Sequence, residues 1–209
     1  ELRTPLTSLR GYAELYRQGA LPDEPGVANA MRRIESEGAR MARLVDDMLL
    51  LAQAGEATLL QQSTVDVPEL LDEVVSGVVG KAGRAIEIGA RPSVKVRADA
   101  DRLVQALRNL LRNALAHADA KVVLAAEVSG AWLRFTVDDD GPGIPESERH
   151  RVFDRFHRLD PGRARADGGA GLGLAIVRAI AEAHGGRAWA GASALGGAQL
   201  VVELPLLDG

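Results

Sequence analysis

Three short motifs follow one another between Asn109 and Gly173, and each supplies a different part of a small-ligand site. They run from Asn109 through Asn113 to His117, from Asp139 through Gly141 to Gly143, and from Gly169 through Gly171 and Leu172 to Gly173. Residues four apart share one helix face, so the Asn109 and Asn113 amides can address a single ligand. An amide carbonyl suits Mg2+, a hard cation that keeps waters and phosphate oxygens around it. Taken alone, the same pair could be surface or capping residues. In the second motif the Asp-x-Gly-x-Gly frame singles out Asp139, because glycines let the backbone approach a flat ring. A carboxylate there can accept a hydrogen bond from the exocyclic amine of adenine, which guanine lacks at that position. A plain acidic turn is the bland alternative. The third motif precedes an apolar helix, and free amides at a glycine-rich helix start attract phosphate. No Gly-Lys-Ser/Thr is present, which excludes a P-loop. The stretch before the glycines is a polar loop, which argues against a dinucleotide fingerprint.

A chain of 209 residues can bury one large core or two small ones. Its hydrophobic content of 46% and charged content of 26% are those of a soluble globular protein. No apolar run approaches the roughly 20 residues that span a bilayer, and the opening segment is charged, unlike a signal peptide. The absence of cysteine excludes disulfides and thiolate metal sites and fits a reducing compartment. A net charge of −4 gives no general reason to expect nucleic acid as a partner.

The chain changes texture once. Leu2, Leu6, Leu9, Ala13 and Tyr16 form one helical stripe, with Pro5 expected to bend it. Beyond a turn over Gly19–Gly26, a second stripe runs Val27, Met31, Ile34, Gly38, Met41, Val45, Met48 and Ala52. Two such helices make an antiparallel hairpin, and a second copy would cover its wide apolar face as a four-helix dimer. After a linker the pattern becomes mixed. A helix follows Pro68, and short strands are expected at Ile86–Ile88 and Val94–Arg97. Asp99 is expected to cap a helix through Leu115. A hairpin over Lys121–Val128 and Trp132–Val137, a helix from near Gly171 to His184, and strands at Arg187–Ala190 and Ala198–Leu204 complete an α+β sandwich. The fold class is thus a two-domain α plus α/β chain: a hairpin over 1–54, a linker over 55–63 and a ligand-binding domain over 64–209.

The order and spacing of the three motifs resemble the ATP-binding domain of sensor histidine kinases, in the wider group shared with gyrase B, Hsp90 and MutL. Glu1-Leu2-Arg3-Thr4-Pro5-Leu6 is similar to the segment that follows the phosphoacceptor histidine of those kinases, which would place that histidine just before Glu1. The resemblance implies ATP and Mg2+ as ligands, with Asn113 as the metal ligand and Asn109 and His117 beside the nucleotide. Asp139, Gly141 and Gly143 would receive adenine, and Gly169, Gly171, Leu172 and Gly173 would receive phosphate. Phe153 and Phe156 would anchor a lid over Pro161–Gly168, with Arg158 reaching phosphate. Glu1 would orient the histidine or take its proton, and Thr4 would hold a water for a phosphatase reaction.

It further implies phosphoryl transfer to histidine and then to an aspartate of a response-regulator receiver domain, within a homodimer on the cytoplasmic side of the cell membrane. Any membrane anchor would lie in upstream segments, and the chain without its histidine would not phosphorylate itself. Two departures stand out: Ala116 replaces a lysine and Ala170 a threonine that many members carry. They are the features that favour an alternative, a dimeric adaptor that keeps the fold but not the catalysis. By the same resemblance, the arginines over Arg149–Arg165 belong to the phenylalanine-bearing segment and the lid that follows it rather than to a nucleic-acid patch. His117, His150, His157 and His184 are expected to line the site or lie on the surface.

Overall fold

The computed structural model describes residues 3–21, 23–53, 60–78, 84–159 and 171–206, and the chain divides into two compact units, Glu1–Leu50 and Leu51–Gly209. Helix α1 spans Arg3–Arg17 and α2 runs from Glu24 to Gln53. α1 ends where Gly19 takes a positive φ of 67°. Its N–H donates to the Tyr16 carbonyl, and that of Ala20 donates to Leu15 at 3.0 Å, closing the last turn. α2 starts inside the stretch expected as a turn. Asp23 Oδ1 accepts the Gly26 N–H at 2.8 Å, and Pro25 lies in the first turn, where no amide donor is needed. Pro5 likewise falls in the first described turn of α1. In the first unit Ala30 and Leu44 are buried, while Leu6, Leu15, Tyr16, Met31, Val45 and Leu49 stay exposed.

The second unit is built on a five-stranded sheet of order β2-β4-β5-β7-β6. β2 (Ala85–Ile88) runs parallel to β4 (Lys121–Ser129), and β5 (Trp132–Asp139), β6 (Arg187–Ala192) and β7 (Ala198–Pro205) pair antiparallel. Alternation along the strands sends Val122, Leu124, Leu133, Phe135, Val137, Leu200 and Val202 to one face, where each is fully buried. Helices α3 (Val67–Ser76), α4 (Ala100–His117) and α5 (Gly173–Ala183) supply the other half of that core. α4 presents Leu103, Leu107, Leu110, Leu111 and Ala114 at helical spacing, all fully buried. Asp99 caps it through the Arg102 N–H at 3.1 Å. A separate antiparallel ladder pairs β1 (Ser63–Asp66) with β3 (Lys95–Ala98). β1 was not expected, because four residues without alternation carry no local strand signal. Val152–Phe156, helix-like in sequence, forms turns. His184 is buried behind α5 rather than exposed or lining the site.

On the opposite sheet face Glu203 is 1% exposed. Burial pushes its carboxyl up, but hydrogen bonds and charge from Arg134 and Arg187 more than offset this and hold it below the usual range. Both arginines lie 2.8 Å from it and stack on Trp189. Replacing Glu203 by Gln should cost about 2 kcal/mol at neutral pH. Because the folded carboxyl ionises below its ordinary value, its contribution is complete above that value and lost as pH falls through the folded one. Denaturant titrations of both proteins should therefore converge in acid; a gap that persists there would refute this role.

Candidate functional site

The site forms where the end of β5 meets the last turns of α4 and the start of α5. Asp139 closes β5 and is 1% exposed. Its Oδ1 accepts the Gly141 N–H at 3.0 Å and the Ala198 N–H at 3.1 Å. Its Oδ2 is buried and has no hydrogen-bond partner among the described residues. A buried carboxylate oxygen without a donor is costly, and an exocyclic amine of the expected base would satisfy it.

Glycines surround that oxygen for steric reasons. A Cβ on Gly141 would overlap the His117 carbonyl, and one on Gly197 would overlap Asp139 itself. Gly143 takes a φ of 74°, and a side chain there would press on the Gly197 carbonyl. The turn Ser193–Gly197 is part of this arrangement: Gly197 donates to the Asp139 carbonyl at 3.2 Å, and Leu195 to the Ser193 hydroxyl at 3.0 Å. That turn was not anticipated, although Gly196-Gly197 directly before a strand is a signal for a tight backbone approach.

Asp140 was likewise passed over. Its carboxylate accepts N–H bonds from Asp119, Ala120 and Lys121 at 2.9 to 3.2 Å. These backbone donors, with that of Lys121 contributing most, hold its carboxyl below the usual range. The bonds tie the segment after α4 to the end of β5, which keeps the His117 carbonyl over Gly141. His117, the last residue of α4, is itself exposed.

Along α4, Asn109 and Asn113 lie one turn apart as expected, but they differ in role. Asn109 is 8% exposed and already engaged: its Nδ2 donates to the Gly173 carbonyl at 3.3 Å, and Arg112 donates to its Oδ1. Asn109 thus fastens α4 to the first residue of α5. Asn113 is half-buried, and among the described residues no hydrogen bond engages its amide, leaving the carbonyl available to a cation. No cluster of three or more His, Cys, Asp or Glu side chains able to hold a metal occurs among the described residues. The donor chemistry therefore fits an ion that takes most of its oxygens from phosphate and water.

At the third motif, Gly171 has a φ of 70°, and its carbonyl accepts the Phe156 N–H at 2.9 Å. Leu172 is buried and starts α5 with no side-chain cap, and a helix start of this kind leaves its first amides available to an anion. Phe153 is buried as an anchor, with the Arg178 guanidinium 5.4 Å above its ring. Arg178, missed in the sequence, also donates to Asp154 at 3.0 Å and to the His150 carbonyl at 2.8 Å.

Phe156 does not anchor through its ring, which is 50% exposed, with a positive φ of 62°. It is held through its backbone bond to Gly171 instead. Arg158 is half-buried at the same end. Glu1, Gly169, Ala170 and the expected lid over Pro161–Gly168 lie outside the described residues, as does the Thr4 side chain.

Gly141→Ala should lower stability by about 1–3 kcal/mol, because its methyl overlaps a carbonyl pinned by Asp140. A thermal melt reads this directly; an unchanged midpoint would mean that the His117 carbonyl moves aside freely.

Comparison with known proteins covers both units. Residues 98–208 match the family described as histidine kinase-, DNA gyrase B-, and HSP90-like ATPase, and residues 1–57 match the His Kinase A (phospho-acceptor) domain. A probable sensor histidine kinase, TcrY of Mycobacterium tuberculosis, is 40% identical over 99% of this chain, which spans 44% of that relative's length. Among solved structures, the histidine kinase AdeS of Acinetobacter baumannii aligns with a TM-score of 0.78 at 25% identity, over 100% of this chain and 98% of that one. Full-length ShkA in complex with AMPPNP aligns with a TM-score of 0.73 at 33% identity, over 99% of this chain and 44% of that one.

Proposed function

The chain belongs to the sensor histidine kinases, and from that premise we propose that it is the ATP-using portion of one, holding MgATP against Asp139, Asn113 and the start of α5. The observation that carries the proposal is the buried, unpartnered Oδ2 of Asp139. The adenine amine donates to that oxygen, and phosphate lies on the free amides at Gly171, Leu172 and Gly173, with Gly169 preceding them. Asn113 contributes its carbonyl to Mg2+, which supplies charge neutralisation at the phosphates. Asn109 and His117 hold the walls of the site, and Arg158 adds positive charge at the phosphate end.

Positioning and charge neutralisation dominate phosphoryl transfer, and this geometry offers both. The acceptor is a histidine immediately before Glu1 in the longer protein, with Glu1 orienting it or taking its proton. The phosphoryl group then passes to an aspartate of a receiver domain, and Thr4 can position a water that hydrolyses the aspartyl phosphate, releasing inorganic phosphate and the free carboxylate. The hairpin of residues 1–54 is the dimerisation and acceptor module, residues 55–63 the linker and 64–209 the nucleotide module. The exposed Leu6, Leu15, Tyr16, Met31, Val45 and Leu49 support a homodimer, since a second copy would cover them. No described helix is long and apolar enough to cross a membrane. We place the chain on the cytoplasmic side, attached through segments outside it. No observation favours the adaptor reading: Ala116 leaves the Asp139 pocket intact, and Ala170 lies outside the described residues.

Calorimetric titration tests this. The chain should bind MgATP, lose most of the affinity when Mg2+ is chelated, and bind at least about tenfold more weakly as Asp139→Asn. No binding by the parent, or equal binding by the variant, would overturn the proposal.

A further inference from the structure

His184 lies far along α5 from the phosphate end and has no part in the reaction just described, yet both of its ring nitrogens are committed. It is 8% exposed and follows the last turn of α5. Nε2 sits 3.0 Å from the backbone nitrogen of Asp99, and Nδ1 sits 2.8 Å from the Ile180 carbonyl. A backbone N–H can only donate, so Nε2 is the acceptor; the proton is therefore on Nδ1, which donates to Ile180. The two partners hold the ring in a single tautomer.

Asp99 is a junction in its own right. Its Oδ1 caps α4 through the Arg102 N–H, and its Oδ2 accepts the Gln61 N–H at 3.0 Å, where the chain enters β1. The His184 bond therefore ties the end of α5 to the start of α4. At the other end, Asn109 Nδ2 ties α4 to Gly173 at the start of α5. From Asp99 to Asn109 a helix rises about 15 Å, and from Gly173 to His184 about 16 Å. The two ties thus sit at opposite ends of equal lengths of two antiparallel helices. With both present, a slide of one helix along the other breaks the buried His184 bond or the part-buried Asn109 bond. α4 carries the amide pair and α5 carries the phosphate-facing turn.

We propose that His184 is a positioning residue for the nucleotide site: by accepting the Asp99 N–H it locks α4 to α5 and sets the spacing between the Asn113 carbonyl and the α5 amides. The inference rests on the nucleotide reading of the site. Its structural part, the lock itself, can be read without nucleotide.

The test compares the parent chain with His184→Gln, which keeps an acceptor at the same reach, and His184→Leu, which fills the space without one. His184→Asn, polar but too short to reach Asp99, replaces the Leu variant if that one fails to fold. Amide exchange at Asp99, measured without nucleotide, reports the bond, and calorimetry reports MgATP affinity. The Leu or Asn variant should lose protection at Asp99 and bind MgATP about tenfold more weakly while still melting cooperatively. The Gln variant should stay within about twofold of the parent on both measures. Parent-like affinity in the Leu or Asn variant, or a Gln variant as weak as they are, overturns the proposal. A parent chain that binds no MgATP removes the nucleotide reading and this role together. Exchange at Asp99 then still shows whether the lock exists.

Discussion

The Asp139 carboxylate is removed from water with one oxygen saturated by two backbone N–H groups and the other left open. An ionisable group in that position is held by the chain around it, not by solvent. Gly141 and Gly197 must be glycine because a side chain on either would occupy space that belongs to the His117 carbonyl or to Asp139. The Ser193–Gly197 turn is shaped so that Gly197 and Ala198 point their N–H groups at the same residue. Among the described residues, no donor reaches the open oxygen of this cradle.

α4 brings the remaining parts to that oxygen. Its buried leucines fix its rotation on the sheet, which sets the buried Asn109 against the start of α5 and leaves Asn113, one turn on, half-buried. Its last carbonyls lie against the Gly141 loop, held there by the three backbone bonds to Asp140. Asn109 spends both ends of its amide on protein contacts, whereas Asn113 spends neither among the described residues. This division makes the first residue a fastener and leaves the amide of the second open, although both are asparagines on one face. Arg178 plays a comparable part for the turns after Glu148, gripping Phe153, Asp154 and the His150 carbonyl at once.

Much of this was legible in the sequence because it depends on short-range constraints. Helix periodicity, the Asp99 cap, the β4–β5 hairpin and the glycine frames around Asp139 and Gly171 all act within a few residues. What escaped reading depends on partners distant in the chain. β1 is a strand only because Lys95–Ala98 pairs with it. The start of α2 was misplaced because Pro25 and Gly26 look like turn residues until Asp23 is recognised as their cap. Phe156 carries an anchor's side chain, but its positive φ turns the ring outward and leaves the backbone to hold the position. His184 gave no hint of burial, since its acceptor role exists only once residue 99 is folded against it.

In the proposed complex the open Asp139 oxygen receives the exocyclic amine of adenine. The most direct measurement is competition between ATP and purine riboside triphosphate, which differs from ATP only in lacking that amine. ATP should bind at least about tenfold more tightly, because the analogue leaves a buried acceptor unpaired. Equal affinity for the two would contradict it and separate Asp139 from base recognition.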